Sequence, residues 1–296
     1  MTPAVGVTLQ PDEAYLELLQ PVFDDVDYFE VAPETTWRPA TRDDAWQPNG
    51  FWHAFLAEGR RRDAWFVAHA VHGSLGTADA RDRPRQQRWQ ARLAADQEHF
   101  RFRWLTDHLG AAVLGEHRVA LPIALPTTAE AASVVRERRV ALQRVVPDVG
   151  FENSAFYFVL GDWLDEPAWY RSILAAPRTH LLLDLHNVHT MAQNLGADPF
   201  AWLARLDASR VVEIHLSGGA DSPPGWLPDG RSLRLDSHDH AVPEAVWRLF
   251  EHVLPRCANL RGVTLERMEG TVATADVPVV HDEVRRIRRI VESERG

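Results

Sequence analysis

The chain has 296 residues, 45% hydrophobic and 25% charged, an ordinary globular composition with apolar material for one large core or two modest ones. A formal net charge of −10 leaves no electrostatic footprint for a polyanion, which excludes nucleic acid as the expected partner. The sole cysteine, Cys257, excludes an internal disulfide and any site built from several thiolates, so a metal would have to be held by histidines and carboxylates.

Strand-like and helix-like segments alternate from one end to the other. Val5–Leu9 is read as a strand and Asp12–Leu19 as a helix, followed by Tyr28–Val31 and Gly50–Arg61, then Trp65–His69 and Arg85–Leu109. The fourth unit is Ala112–Glu116 with Ala129–Val145, and the fifth Val149–Glu152 with Glu166–Ala175. Leu181–Leu185 precedes Pro199–Leu206, Val211–Leu216 precedes Pro243–Leu254, and Gly262–Glu266 precedes Asp282–Glu292. Thr127-Thr128 ahead of Ala129, and Asp198 ahead of Pro199, are helix-start signals. Eight such units without a Gly/Ser-rich linker predict α/β architecture, a closed (β/α)8 TIM barrel with residues 1–296 forming a single domain. Gly218–Arg231, with Pro223-Pro224-Gly225 and Asp229-Gly230, reads as a long loop able to act as a lid. Met1–Gly6 has no basic segment followed by an apolar one, and no stretch reaches the roughly 18 apolar residues of a membrane span. The expectation is a soluble, cytoplasmic protein with no membrane partner.

A TIM barrel carries its active site at the C-terminal ends of its strands. The residues there are ligand types: Glu30, His69, Glu116-His117, Glu152-Asn153, Asp184 and His186, His215 and Glu266, with Asp236 and His238 in the loop before the seventh helix. Asp184 and His186 are two apart in a segment read as extended, as are Glu213 and His215, so each pair is expected to share a face. Any one histidine at a strand end is more often structural than ligating; the joint occurrence carries the inference. Glu30 reads best as a carboxylate that orients a ligating imidazole. Imidazoles and carboxylates without thiolate suit iron, zinc or manganese, and more than four ligands imply more than one ion.

The motifs resemble those of the multinuclear non-heme iron-dependent oxidative enzymes, the family that includes the methanobactin-biosynthesis oxidases. They are Tyr28-Phe29-Glu30-Val31, the His69–Gly76 segment, Glu98-His99-Phe100, Gly115-Glu116-His117, Phe151-Glu152-Asn153, Leu182–Val188, Glu213-Ile214-His215-Leu216, Asp236-Ser237-His238-Asp239 and Leu265-Glu266. No fragment is specific by itself, but their order covers nearly the whole chain. The resemblance implies two or three iron ions (Fe2+/Fe3+) held by His69, His99, Glu116, Asn153, Asp184, His215, Asp236, His238 and Glu266. It also implies oxygen-dependent oxidation of a residue, often Cys, in a ribosomally synthesised precursor peptide during natural-product biosynthesis. A separate partner protein commonly helps to present that peptide. Two departures stand out: His186 occupies a position that is usually Asn, and Gly219 replaces a His. His186 is accordingly expected to act in catalysis, as an added ligand or a proton acceptor.

The expectation is therefore an iron-dependent, oxygen-activating oxidoreductase that modifies peptides. A metal-dependent hydrolase or isomerase of the endonuclease-like or sugar-isomerase-like barrel type is the alternative, and it would work without oxygen. A non-enzymatic scaffold with a closed structural metal site is the third reading.

Overall fold

A computed structural model describes residues 2–38, 46–114 and 117–295. Eight parallel strands close a barrel: β1 (Ala4–Leu9), β2 (Tyr28–Val31), β3 (Trp65–Ala70), β4 (Leu105–His108), β7 (Val149–Glu152), β8 (Thr179–Asp184), β9 (Val211–Leu216) and β10 (Gly262–Leu265). They follow one another around the barrel in chain order, and β10 returns to β1 with Val5 opposite Val263. The other two strands, β5 (Ala111–Leu114) and β6 (His117–Ile123), form a separate antiparallel pair.

That pair corrects the reading of the fourth unit. The described part of the predicted strand Ala112–Glu116, through Leu114, belongs to the antiparallel pair, while the fourth barrel strand is Leu105–His108, hidden within the predicted helix Arg85–Leu109. The helix itself, α4 (Arg83–Phe100), stops at Arg101, which takes a left-handed backbone (φ 54°). Arginine is not the glycine or asparagine that usually announces such a stop, so the end carries no compositional signal.

Helices α1 (Glu13–Leu18), α2 (Gln20–Phe23), α3 (Gly50–Arg62), α5 (Ala129–Leu142), α6 (Glu166–Leu174), α7 (Leu185–Leu195), α8 (Pro199–Arg205), α9 (Glu244–Val253) and α10 (Val277–Arg295) accompany α4. Helix α7 starts inside the segment read as the end of a strand: Asp184 is its N-cap, accepting from the Asn187 N–H. His186 therefore projects from a first helical turn, and the expected two-residue strand pairing with Asp184 does not hold.

Alternation along the strands divides the core. Val7, Phe29, Phe66, Leu183, Ile214 and Val263 belong to the main cluster between barrel and helices, whereas Tyr28, Val67, Trp104 and Val212 form a second cluster. Gly6 and Gly262 make room for Tyr28, since a Cβ at either position would lie 2.5 Å from its side chain. Glu213 accepts hydrogen bonds from Tyr28 (3.0 Å), Trp104 Nε1 (2.6 Å) and Thr264 (2.6 Å). These polar plugs close the barrel below its C-terminal mouth, where His215, two residues further along β9, begins the next layer. Among the described residues no helix is long and apolar enough to cross a membrane.

Candidate metal centre

The last inward positions of the strands converge on one cluster. His69 from β3 and His108 from β4 face Glu152 of β7, with Nε2 to Oε2 separations of 3.6 and 3.2 Å. Their rings are 4.7 Å apart between centroids. His108 Nδ1 lies 3.0 Å from the Ala70 carbonyl; donation there fixes the tautomer that leaves Nε2 bare toward Glu152. Asn187 Nδ2 donates to the other Glu152 oxygen at 2.9 Å and aims the carboxylate.

His215 is oriented in the same way from the other side. Its Nε2 donates to Glu30 Oε2 at 2.9 Å, which turns Nδ1 toward Glu266 Oε2 (3.2 Å) and Asp184 Oδ2 (4.0 Å). From the loop after β9, Asp236 Oδ1 meets His238 Nε2 at 2.6 Å and His186 Nδ1 at 3.3 Å, and His238 Nδ1 lies 3.3 Å from Glu266 Oε1. The ligand-type atoms thus form overlapping trios, each within 4.8 Å: His69, His108 and Glu152; Glu152, Asp184 and His215; Asp184, His238 and Glu266; and His186, Asp236 and His238. Glu152, Asp184 and His238 each belong to two of them.

The donor set fits metal ions by a test internal to the structure. Glu30 Oε1, Asp184 Oδ2, His186 Nε2, His215 Nδ1 and His238 Nδ1 are all buried with no hydrogen-bond partner. The approach of His215 Nδ1 to Glu266 is short, but it is not aligned as a hydrogen bond. A buried polar atom left so costs roughly 1–3 kcal/mol, and native proteins rarely leave several side by side. Titration points the same way. Burial, with the neighbouring Asp236 and Glu152 carboxylates, pushes Asp184 well above the ordinary aspartate range. Burial raises Glu30 and Glu152 as well. His69 is held well below the ordinary histidine value by burial and by His108 and His215, which leaves it a neutral, ligating imidazole. For His215 and His238 burial opposes the charged form, but the surrounding carboxylates outweigh it and raise both. A cation among these carboxylates would relieve their mutual repulsion.

The sequence-predicted residues fall into three sets. His69, Asp184, His215, Asp236, His238 and Glu266 come together, with His186 beside them and Glu30 behind His215. Two do not join. His99 is exposed near the end of α4, its ring 4.9 Å from Trp52, and it lines a groove with Trp65, the first residue of β3, at the opposite end of the barrel. Asn153 spends both ends of its amide on the Asp184 backbone, donating to the carbonyl and accepting from the N–H at 2.9 Å each; Glu152 is the residue that faces the cluster. Glu116 lies outside the described residues. Sequence reasoning missed His108 entirely, because its strand was read as helix.

A cavity of about 310 Å³ opens above the cluster, walled by His69, His108, Asp236, His238 and Glu266 and by apolar side chains including Leu9, Val71, Pro122, Phe156 and Met268. His186 is fully buried and is not in its wall. Gly219 packs against it: a Cβ there would lie 2.9 Å from His186 Cε1 and 2.1 Å from the Leu235 carbonyl oxygen. The two departures seen in the sequence are therefore neighbours, an imidazole on α7 standing against a position that admits no side chain.

Fold and site together define a (β/α)8 barrel with a multi-carboxylate, multi-histidine cluster at its C-terminal mouth. Residues 4–292 match the family described as RiPP precursor modification enzyme MbnB/TglH/ChrH, and the chain belongs to that family. It is 33% identical over 236 residues to a UPF0276 protein of Anaeromyxobacter sp. (strain Fw109-5), covering 79% of each chain. Among solved structures it resembles the IOLI protein with a binding zinc atom (TM-score 0.60, 12% identity, 98% of this chain and 99% of that one). It also resembles endonuclease IV from Thermus thermophilus (TM-score 0.56, 18% identity, 98% and 100%). At these identities the structural likeness shows the barrel fold.

Proposed function

We propose that the protein acts in the cytoplasm as one barrel domain that holds two or three iron ions and uses dioxygen to oxidise a residue, often cysteine, of a ribosomally made precursor peptide. The observation that carries this reading is the set of buried, unpartnered ligand-type atoms on Asp184, His186, His215 and His238 in a cluster without thiolate. Bound iron would supply an open position for a substrate thiolate and the electrons for dioxygen. His69, His108 and Glu152 would hold one ion, Glu152, Asp184 and His215 a second, with Glu266 and His238 completing the shared shell. His186, Asp236 and His238 would hold the outer position. We assign His186 as a ligand rather than a proton acceptor for the peptide, because it is fully buried and does not reach the cavity. Glu30 keeps the proton on His215 Nε2 and so presents Nδ1. The apolar wall limits water around the reacting residue, and a peptide-presenting partner protein would dock outside the cavity.

Elemental analysis after anaerobic iron reconstitution and desalting should find two or three irons per chain. Less than one equivalent would remove the cluster from the account.

A further inference from the structure

Most of the cluster sits on strand ends held by the barrel ladder, but Asp236 and His238 come from the long loop between β9 and α9. Bonds on either side hold that segment: Leu235 N–H donates to the Ala220 carbonyl at 2.8 Å, His240 N–H to the Gly218 carbonyl at 3.3 Å, and Asn194 pairs with the Arg234 backbone. Ala220 N–H donates to Ser237 Oγ at 2.9 Å, Met268 N–H donates to the His238 carbonyl at 3.0 Å, and Asp236 N–H donates to the hydroxyl of Tyr157 at 2.9 Å. The third bond holds Asp236 itself and comes from the loop after β7, where Phe156 walls the cavity immediately before Tyr157. Tyr157 has φ +61°, a left-handed backbone that a bulky side chain seldom adopts, and His238 has φ +52°. Non-glycine residues with this backbone thus lie at the acceptor of the Asp236 hydrogen bond and two residues beyond its donor, and strain of that kind persists only where surrounding contacts enforce it.

We propose that Tyr157 is a positioning residue: its hydroxyl fixes the Asp236–His238 segment and ties the outer metal position to the loop that walls the peptide cavity. This rests on the metal-cluster reading above. The hydroxyl touches the backbone of Asp236, so removing it leaves every ligand atom in place and loosens the segment carrying two of them. Partners one step behind a ligand are worth about 10–100-fold in metal affinity.

The test compares full-length wild-type, Tyr157→Phe and Tyr157→Gly proteins in anaerobic ferrous-iron titrations, read by bound iron after desalting and by the Mössbauer spectrum of iron-57. Tyr157→Phe should lose one iron equivalent at limiting metal, with affinity down about 10–100-fold and recovery in excess iron. The Mössbauer signal that disappears should be a single component. Tyr157→Gly, which relieves the backbone strain but also lacks the hydroxyl, should show the same loss. Phe binding like wild type while Gly alone is defective would mean that the ring merely packs, and would overturn the inference. Two variants that both load as fully and tightly as a fully loaded wild type would overturn the inference alone. A wild-type chain that binds no iron in the same titration would overturn the cluster reading and this inference with it.

Discussion

Replacing Glu152 by alanine should release more than one ion's share of metal and lower activity by more than about 100-fold, since even residues behind a ligand are worth 10–100-fold. The size of the effect follows from its place. One Glu152 oxygen lies 3.2 Å from His108 Nε2 and 3.6 Å from His69 Nε2, and the side chain also belongs to the trio with Asp184 and His215. Asn153→Ala, next in sequence, should retain more metal, because it removes bonds to the Asp184 backbone rather than a ligand. Iron content and turnover measured on both variants check this. Equal loss, or the greater loss at Asn153, would return the ligand assignment to Asn153.

His215→Ala is expected to affect metal and stability together. It removes the imidazole between Asp184 and Glu266 and strips Glu30, only 2% exposed, of its donor. Breaking a buried pair from one side costs on the order of 3–5 kcal/mol while the remaining charge stays ionised. The cost should depend on pH with a definite sign. Burial already raises the Glu30 pKa, and losing the opposing His215 raises it further. A carboxyl whose folded pKa exceeds its unfolded value contributes stability that is complete below the unfolded value and fades as pH rises through the folded one. Glu30 is already raised to about 8 in the metal-free wild type, so its part of the gap between the metal-free proteins should stay level up to about pH 8 and widen above it, where the variant must ionise Glu30 without His215, as denaturant titrations at several pH values would show. A gap that is constant with pH would mean that Glu30 is not the group left exposed to the loss.

Much of this centre was legible because parallel strands bring chemistry to one end. Glu30, His69, Asp184, His215 and Glu266 could be found by asking what ends each apolar run. The failures have local causes. Leu105–His108 is only four residues long, follows a helix whose stop is an arginine, and carries Thr106 and His108 on its inner face, so no apolar alternation marks it. His108 was lost with it. Glu152 and Asn153 stand one residue apart at the end of a strand buried on both faces, where the pattern does not say which side chain points inward. The barrel register decides for Glu152. Motif matching alone brought in His99, and the long excursion before α4 gives no means of seeing that the helix ends at the other end of the barrel. His186 was placed in a strand because the apolar run Leu181–Leu183 with Leu185 reads as one strand through Asp184, whereas Asp184 caps a helix that begins one residue later.

The central claim is that this cluster activates dioxygen toward a peptide. Iron-reconstituted and zinc-loaded protein should be incubated with short cysteine-containing candidate precursor peptides, sought among the reading frames beside its gene, in air and under anaerobic conditions, and the products read by mass spectrometry. The account predicts loss of hydrogens, gain of oxygen or oxidative chain cleavage only with iron and only in air, whereas the same product formed anaerobically with zinc would contradict it and favour a hydrolase or isomerase.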